Sequence, residues 1–600
     1  MTASSRQQTA KIGAPIPVAR TRTNGNAEEL SLGALPGAAL RACLKEGYSA
    51  RDLRADLLAG LVVGIIALPL SMALAIAVGV APQYGLYTAI IAGIAAAALG
   101  GSRTQVTGPT AAFVVILAPI YVKFGLAGLL ISGFLGGVIL LALGLMRMGR
   151  FIEFIPHPVT TGFTAGIATV IATLQVKDFL GLTTTENPEH FPERVLAMWA
   201  ARNTAVGAEA AIGAFTLALL ILLPRITRKF PAPLLALPLA ALAAVVASAQ
   251  IPGFQVATVA SRFHTMLGGE WVHGIPQLPP LPLLPWNLAG PDGAPFELSF
   301  EALRALLAGA FAIAMLGAIE SLLSAVVADG MARTRHDPDA ELVGQGCANM
   351  LVPFFGGIPA TGALARTGTN IRYGARTPVA SIMHALTMLA AVLALAPLLG
   401  HLPMAALAAM LLIVAWNMSD ARHFLHIVRV APRSDVTVLF VCFSLTVLFD
   451  MVIGVSVGLM LAAFLFMSRM ASVTRTELVG SGHPDLQVAI PPGVLVYEIS
   501  GPLFFGAAEK AMARLRLGGQ DAKVLVLLLE GVHAMDATGL VALEGTMHPI
   551  LKAHGTIILA GVCEQPMKVL TKAGLHQRPG ILFAATPRAA LEFAAIQLRT

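Results

Sequence analysis

Two short runs rich in glycine, proline and hydroxyl residues break into apolar stretches of this chain, and their chemistry suits an anion. The first, residues 100–110, reads Gly-Gly-Ser-Arg-Thr-Gln-Val-Thr-Gly-Pro-Thr and leads into the short apolar stretch 111–122. The second, residues 356–367, reads Gly-Gly-Ile-Pro-Ala-Thr-Gly-Ala-Leu-Ala-Arg-Thr and has the same grammar. Each is too short and too polar to cross a bilayer as a complete helix, which takes about 20 apolar residues. Irregular backbone at membrane depth survives only where protein or a water-filled cavity satisfies its amides. Interrupted helices at corresponding places in two halves of a chain mark the substrate site of inverted-repeat transporters. There a helix amino terminus offers unpaired N–H groups and partial positive charge to an anion.

Two ionisable residues join these runs. Glu320 lies inside the apolar stretch 308–327, where a charge is costly and therefore a functional candidate. Protonating a buried carboxyl removes that cost, so a proton could enter with an anion and offset its charge. The competing reading is a structural cap or an ion pair with a neighbour such as Arg366. Arg366 sits in the second broken segment and offers a forked donor that suits a carboxylate, to attract or touch the anion; it could equally hold Glu320 or backbone carbonyls.

The elements that must position these residues are membrane spans. Of 600 residues 56% are hydrophobic and 12% charged, which excludes a soluble core. The net charge of +7 is dispersed between apolar segments without an aromatic platform, so nucleic acid is not expected as a partner. Arg51 and Arg54 precede the first span, Arg147 and Arg150 follow the fourth, and Arg225, Arg228 and Lys229 follow the sixth. Arg333, Arg335, Arg372, Arg376, Arg422, Arg429, Arg433, Arg469 and Arg475 continue the series. With all of them on one side, the positive-inside rule places both termini in the cytoplasm. Cys43, Cys347, Cys442 and Cys563 lack metal or disulfide spacing, and the polar first fifty residues lack a signal-peptide pattern.

Seven apolar segments are expected at 57–77, 84–99, 111–122, 126–146, 159–174, 208–223 and 234–249. A proline-rich loop at 251–300 divides them from seven more, at 303–327, 342–355, 361–370, 379–399, 404–416, 436–449 and 453–467. The broken segment is third in each half. An odd number per half requires the second half to be inverted. After Arg475 the composition becomes that of a small α/β domain, with strands expected at 494–499, 524–529 and 556–560 and helices between and after them.

These residues resemble the SulP (solute carrier 26) anion transporter family. The resemblance runs from about Tyr48 to the C-terminus and rests on residues 67–75 (Ala-Leu-Pro-Leu-Ser-Met-Ala-Leu-Ala), Gly108-Pro109-Thr110 and residues 316–323 (Leu-Gly-Ala-Ile-Glu-Ser-Leu-Leu). Residues 535–540 (Met-Asp-Ala-Thr-Gly-Leu) resemble the STAS domain that ends family members. A finer match, to bacterial C4-dicarboxylate transporters of the family, is carried by residues 341–346, 414–419 and 501–505.

The resemblance implies a polytopic α-helical membrane protein of fourteen transmembrane segments in a 7+7 inverted repeat. It implies core and gate domains, two half-helices, an elevator movement and a homodimer. Residues 1–50 would be a cytoplasmic segment, 51–475 the transmembrane domain and 476–600 a cytoplasmic STAS domain. The anion would lie at Thr110, Ala111, Ala112, Gly362, Ala363 and Leu364, with Leu70, Leu74 and Phe113 nearby or merely packing. Sodium-coupled relatives tend to carry Asp with Thr one turn later where this chain has Glu320 and Ser324, which favours protons. Asp536 and Thr538 occupy the loop that is phosphorylated in regulatory STAS relatives, although a plain helix cap explains them too.

The expected function is proton-coupled uptake of C4-dicarboxylates such as succinate, fumarate or aspartate across a bacterial inner membrane. The alternatives are a bicarbonate or sulfate transporter, coupled to protons or sodium, and a passive anion channel. A cytoplasmic regulatory partner at the STAS domain is a further possibility that the resemblance raises, with membrane lipid around the spans. No catalytic triad, Walker motif or cofactor site is visible, so no enzyme and no cofactor are expected. Gln83, Arg103, His157, His384 and Asp450 stand near segment ends, where anchoring or capping is the simpler role.

Overall fold

The computed structural model describes residues 35–599 apart from 153–154, 185–187, 189, 228–230, 268–269, 289, 291–293, 295, 298, 450, 481–489, 505 and 519–522. Arg228, Lys229 and Asp450 therefore lie outside the described residues, as does most of the expected N-terminal segment. Among the described residues, ten helices are long and apolar enough to cross a membrane. The first two are Ala50–Val78 and Pro82–Leu99, the latter followed by the extended run that precedes Ala111–Leu145. That 35-residue helix is two segments, because Gly125 at φ 66° and ψ −169° breaks it; only glycine adopts this backbone readily. His157–Leu180, Gly207–Ile226 and Ala232–Gln250 complete the first seven.

The second seven are Phe300–Ala332, Pro338–Leu351, Leu364–Arg372, Val379–Leu399, Met404–Ser419, Arg433–Leu448 and Met451–Val473. The broken segment is again third, and it is short: nine residues. The register expected from the sequence thus holds at each segment, with ends that differ by up to seven residues.

Several elements differ from expectation. The divider at 251–300 carries structure: the helical turn Val259–Arg262 and the hairpin of His264–Leu267 with Glu270–His273. It docks on the start of Met404–Ser419, with Met404 N–H donating to Ala257 O and Val259 N–H to Leu402 O. Proline density signalled turns, and it hid these short contacts. Ala421–Val430 is a further helix, where the sequence suggested only a basic turn.

The C-terminal sheet has five strands in the order Arg475–Leu478, Val494–Ser500, Val524–Gly531, Thr556–Ala560 and Ile581–Ala584. The first pair is antiparallel and the rest parallel. Alternation along the central strand makes two cores. Leu525, Leu527 and Leu529 face one with Met512, Leu543 and Met547, while Val524, Val526 and Leu528 face the other with Ala590, Leu591 and Ala594. The outer strands Arg475–Leu478 and Ile581–Ala584 were not expected. They are four residues each, and the former is polar, as edges tend to be.

Helices in the membrane unit approach closely through glycine. A Cβ on Gly344 would stand 2.5 Å from Gly100 Cα and 2.6 Å from Gly100 N, and one on Gly137 2.6 Å from Met350 N. Backbone cannot yield as a side-chain tip can. Gly344→Ala is therefore expected to lower stability by about 1–3 kcal/mol, the usual cost of overpacking. Gly330→Ala, with open space around its Cβ, should be neutral. Thermal unfolding of both purified variants checks this, and equal midpoints would show that the contact is not tight.

Candidate functional site

The two polar runs meet as a minimal antiparallel bridge. Thr107 pairs with Gly362 and Gly108 with Thr361, and Ala363 N–H donates to Val106 O at 2.8 Å. Each arm then turns into a helix whose first turn carries no side-chain cap: Thr110 precedes Ala111–Leu145 and Ala363 precedes Leu364–Arg372. Two sets of helix-start amides are left for a ligand or solvent. Side-chain tips crowd the glycines of the bridge. A Cβ on Gly362 would lie 2.3 Å from Gln105 Nε2, and one on Gly108 2.5 Å from Arg366 Nη1.

Glu320 and Thr110 are brought together, with the Thr110 hydroxyl donating to Glu320 Oε2 at 2.9 Å. Glu320 keeps partial access, while Thr110, Ala111, Ala112 and Ala363 are buried. Arg366 is 3% exposed and does not form an ion pair with Glu320. Its Nη2 donates to Pro109 O at 3.0 Å and to Ser71 Oγ at 3.3 Å, and its Nε and Nη1 have no hydrogen-bond partner. The cation therefore holds the end of the first arm, from behind the half-helix start, and retains unused donors.

Ser324 is fully buried and hydrogen-bonds Thr367 Oγ1 at 3.3 Å, so it ties the two helices and not the carboxyl of Glu320. Ser321 serves the second arm, accepting from Gly362 N–H at 3.0 Å and lying 2.7 Å from Thr361 Oγ1. Leu74 and Phe113 are packed inside the main apolar cluster, Leu70 lies partly buried against it, and the Leu364 side chain is exposed. In the C-terminal domain, Asp536 Oδ1 accepts from Gly539 N–H at 2.7 Å as the helix cap, and Thr538 is exposed beside it.

Sequence reasoning missed Glu341, which organises the first arm. Its Oε2 accepts from Gly101 N–H (3.0 Å) and Ser102 N–H (2.9 Å), and its Oε1 from Gln105 Nε2 (2.7 Å) and Gln345 Nε2 (2.9 Å). All four partners are donors, which suits an acceptor-only carboxylate. Gln345 Nε2 also donates to Thr107 Oγ1, Asn370 Nδ2 to Thr104 O and the Ser381 hydroxyl to Gln105 O. Asn349 holds Ala360 by both its N–H and its carbonyl. The available signal was a Glu-x-x-x-Gln-x-x-x-Asn ladder at one-turn spacing in a helix that is otherwise apolar after Asp339.

Arg103 bonds Glu46 and Gln83 Nε2 donates to Thr265 Oγ1, so both anchor as expected. His157 contacts Thr161 and the ring of His423. His384 does neither: it is fully buried, and neither ring nitrogen has a partner.

The model of the sulfate permease family matches residues 53–442, and that of the STAS domain residues 485–589. The chain belongs to the sulfate permease family. A putative sulfate transporter, YvdB of Bacillus subtilis, is 41% identical over 84% of this chain and 90% of the relative. The bicarbonate transporter BicA of Picosynechococcus is 28% identical over 83% of this chain and 87% of its own length.

Among solved structures, the transmembrane domain of a cyanobacterial BicA superposes with a TM-score of 0.57 at 27% identity. It covers 69% of this chain and 98% of that one. The murine Solute Carrier 26 family member A9 anion transporter, in its inward-facing state, gives 0.78 at 19% identity and covers 97% of each chain, which establishes the shared fold. This sulfate permease family member is thus a helical membrane transporter with a C-terminal STAS domain, and the relatives are named as carriers of anions, not as enzymes.

Two outcomes follow. Glu341→Gln opposes an NH2 group to backbone donors and should cost on the order of 2–3 kcal/mol, read by thermal unfolding of purified protein; an unchanged midpoint would remove Glu341 from the scaffold. Ala111→Leu and Ala363→Leu should abolish anion binding in equilibrium assays on monodisperse protein, because their side chains would fill the space before the helix-start amides. Wild-type affinity in both variants would place the site elsewhere.

Proposed function

We propose that this chain is a secondary active importer that takes up a small anion together with a proton, by an elevator movement of core against gate. The observation that carries the reading is the hydrogen bond from Thr110 to Glu320. It sets a titratable carboxyl against the start of an uncapped half-helix, so proton and anion act on the same few atoms. With Glu320 charged, the carboxylate opposes an arriving anion; with it protonated, the helix-start amides and the unspent donors of Arg366 act without that opposition. A passive channel has less use for such a carboxyl.

The substrate class we favour is the C4-dicarboxylates, on residues 341–346, 414–419 and 501–505. Sulfate or bicarbonate is the second reading, favoured by the names of the relatives. Thr110, Ala111, Ala112, Gly362, Ala363, Leu364 and Arg366 hold the anion in this account, with Leu70 and Leu74 behind it, and Glu320 takes the proton, while Ser324, bonded to Thr367, has only the structural part of tying the two helices. The protein works as a homodimer in a bacterial inner membrane, both termini cytoplasmic. Its STAS domain regulates or assembles it, through Asp536 and Thr538 or a bound partner.

Uptake of labelled succinate, sulfate and bicarbonate into proteoliposomes, with pH and sodium gradients imposed separately, tests substrate and coupling together. An inward proton gradient should drive accumulation in wild type. Glu320→Gln, which cannot titrate, should abolish accumulation and leave the protein folded. Wild-type accumulation by that variant, or drive by sodium alone, would overturn the coupling proposed.

A further inference from the structure

On the side of the molecule away from the basic turns, a cavity of about 280 Å3 opens between the end of the first helix, the outer part of the third segment and the fifth. Among the described residues its charged lining comprises Lys177, Asp178, Arg194 and Arg262. Asp178 is already committed: Arg262 Nη1 lies 2.7 Å from its Oδ1. Arg194, on the short helix Phe191–Ala200, is not so engaged. Its Nε donates to Pro188 O at 2.7 Å, while its Nη2 is buried without a hydrogen-bond partner. Thr184 Oγ1, also in the lining, is buried and unpartnered as well.

Buried donors left unbonded are costly, and more so when they belong to a charged group. Two such groups on one cavity wall define a complement: a small body with negative charge and several acceptor atoms. A water molecule meets the second need and not the first. The cavity also leads somewhere. A second space of about 40 Å3 shares Ala118, Leu174 and Arg194 with the first and continues past Pro119 to Val115 and Val114. Val114 is in the first turn of the helix that begins at Ala111. Arg194 thus lines both spaces, beside the third segment.

We infer that Arg194 and Thr184 form an outer anion site, separate from the half-helix starts, that captures a small oxyanion or carboxylate before it enters the transport site. The inference rests on the reading of the chain as an anion transporter, but its test reads binding and needs no transport. The forked guanidinium would take two oxygens of the anion and the hydroxyl of Thr184 a third.

The experiment places a single reporter, Ala197→Cys, in the cavity wall of the full chain, with the four native cysteines replaced. Rates of modification by a negatively charged sulfonatoethyl methanethiosulfonate and its trimethylammonium counterpart are each referred to a free thiol. The anionic reagent should react faster, and sulfate, bicarbonate or succinate should slow it saturably. Arg194→Gln should cut the preference for the anionic reagent by at least about tenfold, the least that removal of one charge within about 10 Å implies at an effective dielectric of about 20, and should abolish protection. Arg194→Lys should retain the preference, and Arg262→Gln should retain protection. Absence of protection by all three anions, or equal protection in Arg194→Gln, would overturn the site. Protection that survives in a protein showing no proton-driven uptake would uphold the outer site and sink only the coupling.

Discussion

Extended backbone in the middle of a membrane has amides that no water reaches, and this single constraint organises the core of the protein. The two arms that lead to the half-helices satisfy one another at the Thr107–Gly362 and Gly108–Thr361 bridge, but two residue pairs cannot serve two arms. The remainder falls to side chains on neighbouring helices. Glu341, Gln345 and Asn349 rise one turn apart along Pro338–Leu351 and bond both arms in order. Asn370, Ser381, Ser321, Thr367 and Thr88 add to the set. Each unmet group would cost several kcal/mol in hydrocarbon, so this polar scaffold is a condition for having helix starts at mid-membrane.

With the arms held, their chemistry follows from what is left unbonded. The first turns of the two half-helices lack side-chain caps, and Arg366 spends one nitrogen on Pro109 and Ser71 while keeping the others. Glu320 enters from a third helix and touches the first arm only through Thr110. Separation of Glu320 from Arg366 matters here. An ion pair between them would have neutralised both and left a structural clasp; apart, one can attract an anion and the other can answer it with a proton.

The sequence was most readable where a residue contradicted its surroundings. Glycine, proline and hydroxyl residues in apolar context located both arms, and an acid within residues 308–327 located Glu320. Apolar runs between basic turns located the fourteen segments and the order of the two halves, and the family resemblance implied the same count. What stayed hidden were relations between distant segments. Nothing near Glu341 says that it will meet Gly101 and Gln105, more than two hundred residues earlier. Ser71 looked like one small residue in a helix, and His384 like an end cap, until packing buried both. Short edge strands such as Arg475–Leu478 are set by their partner and leave little periodicity of their own.

The central claim is that anion and proton share one site through Glu320. Its most direct test is the proton balance of anion binding, recorded with a pH-indicator dye and purified protein in weak buffer as anion is added. Linkage requires that an anion favouring the protonated carboxyl draw protons from solution, up to about one per site. The account predicts proton uptake by wild type and none by Glu320→Gln, with anion binding retained in both. Binding without proton uptake in wild type, or equal uptake in the variant, would contradict it.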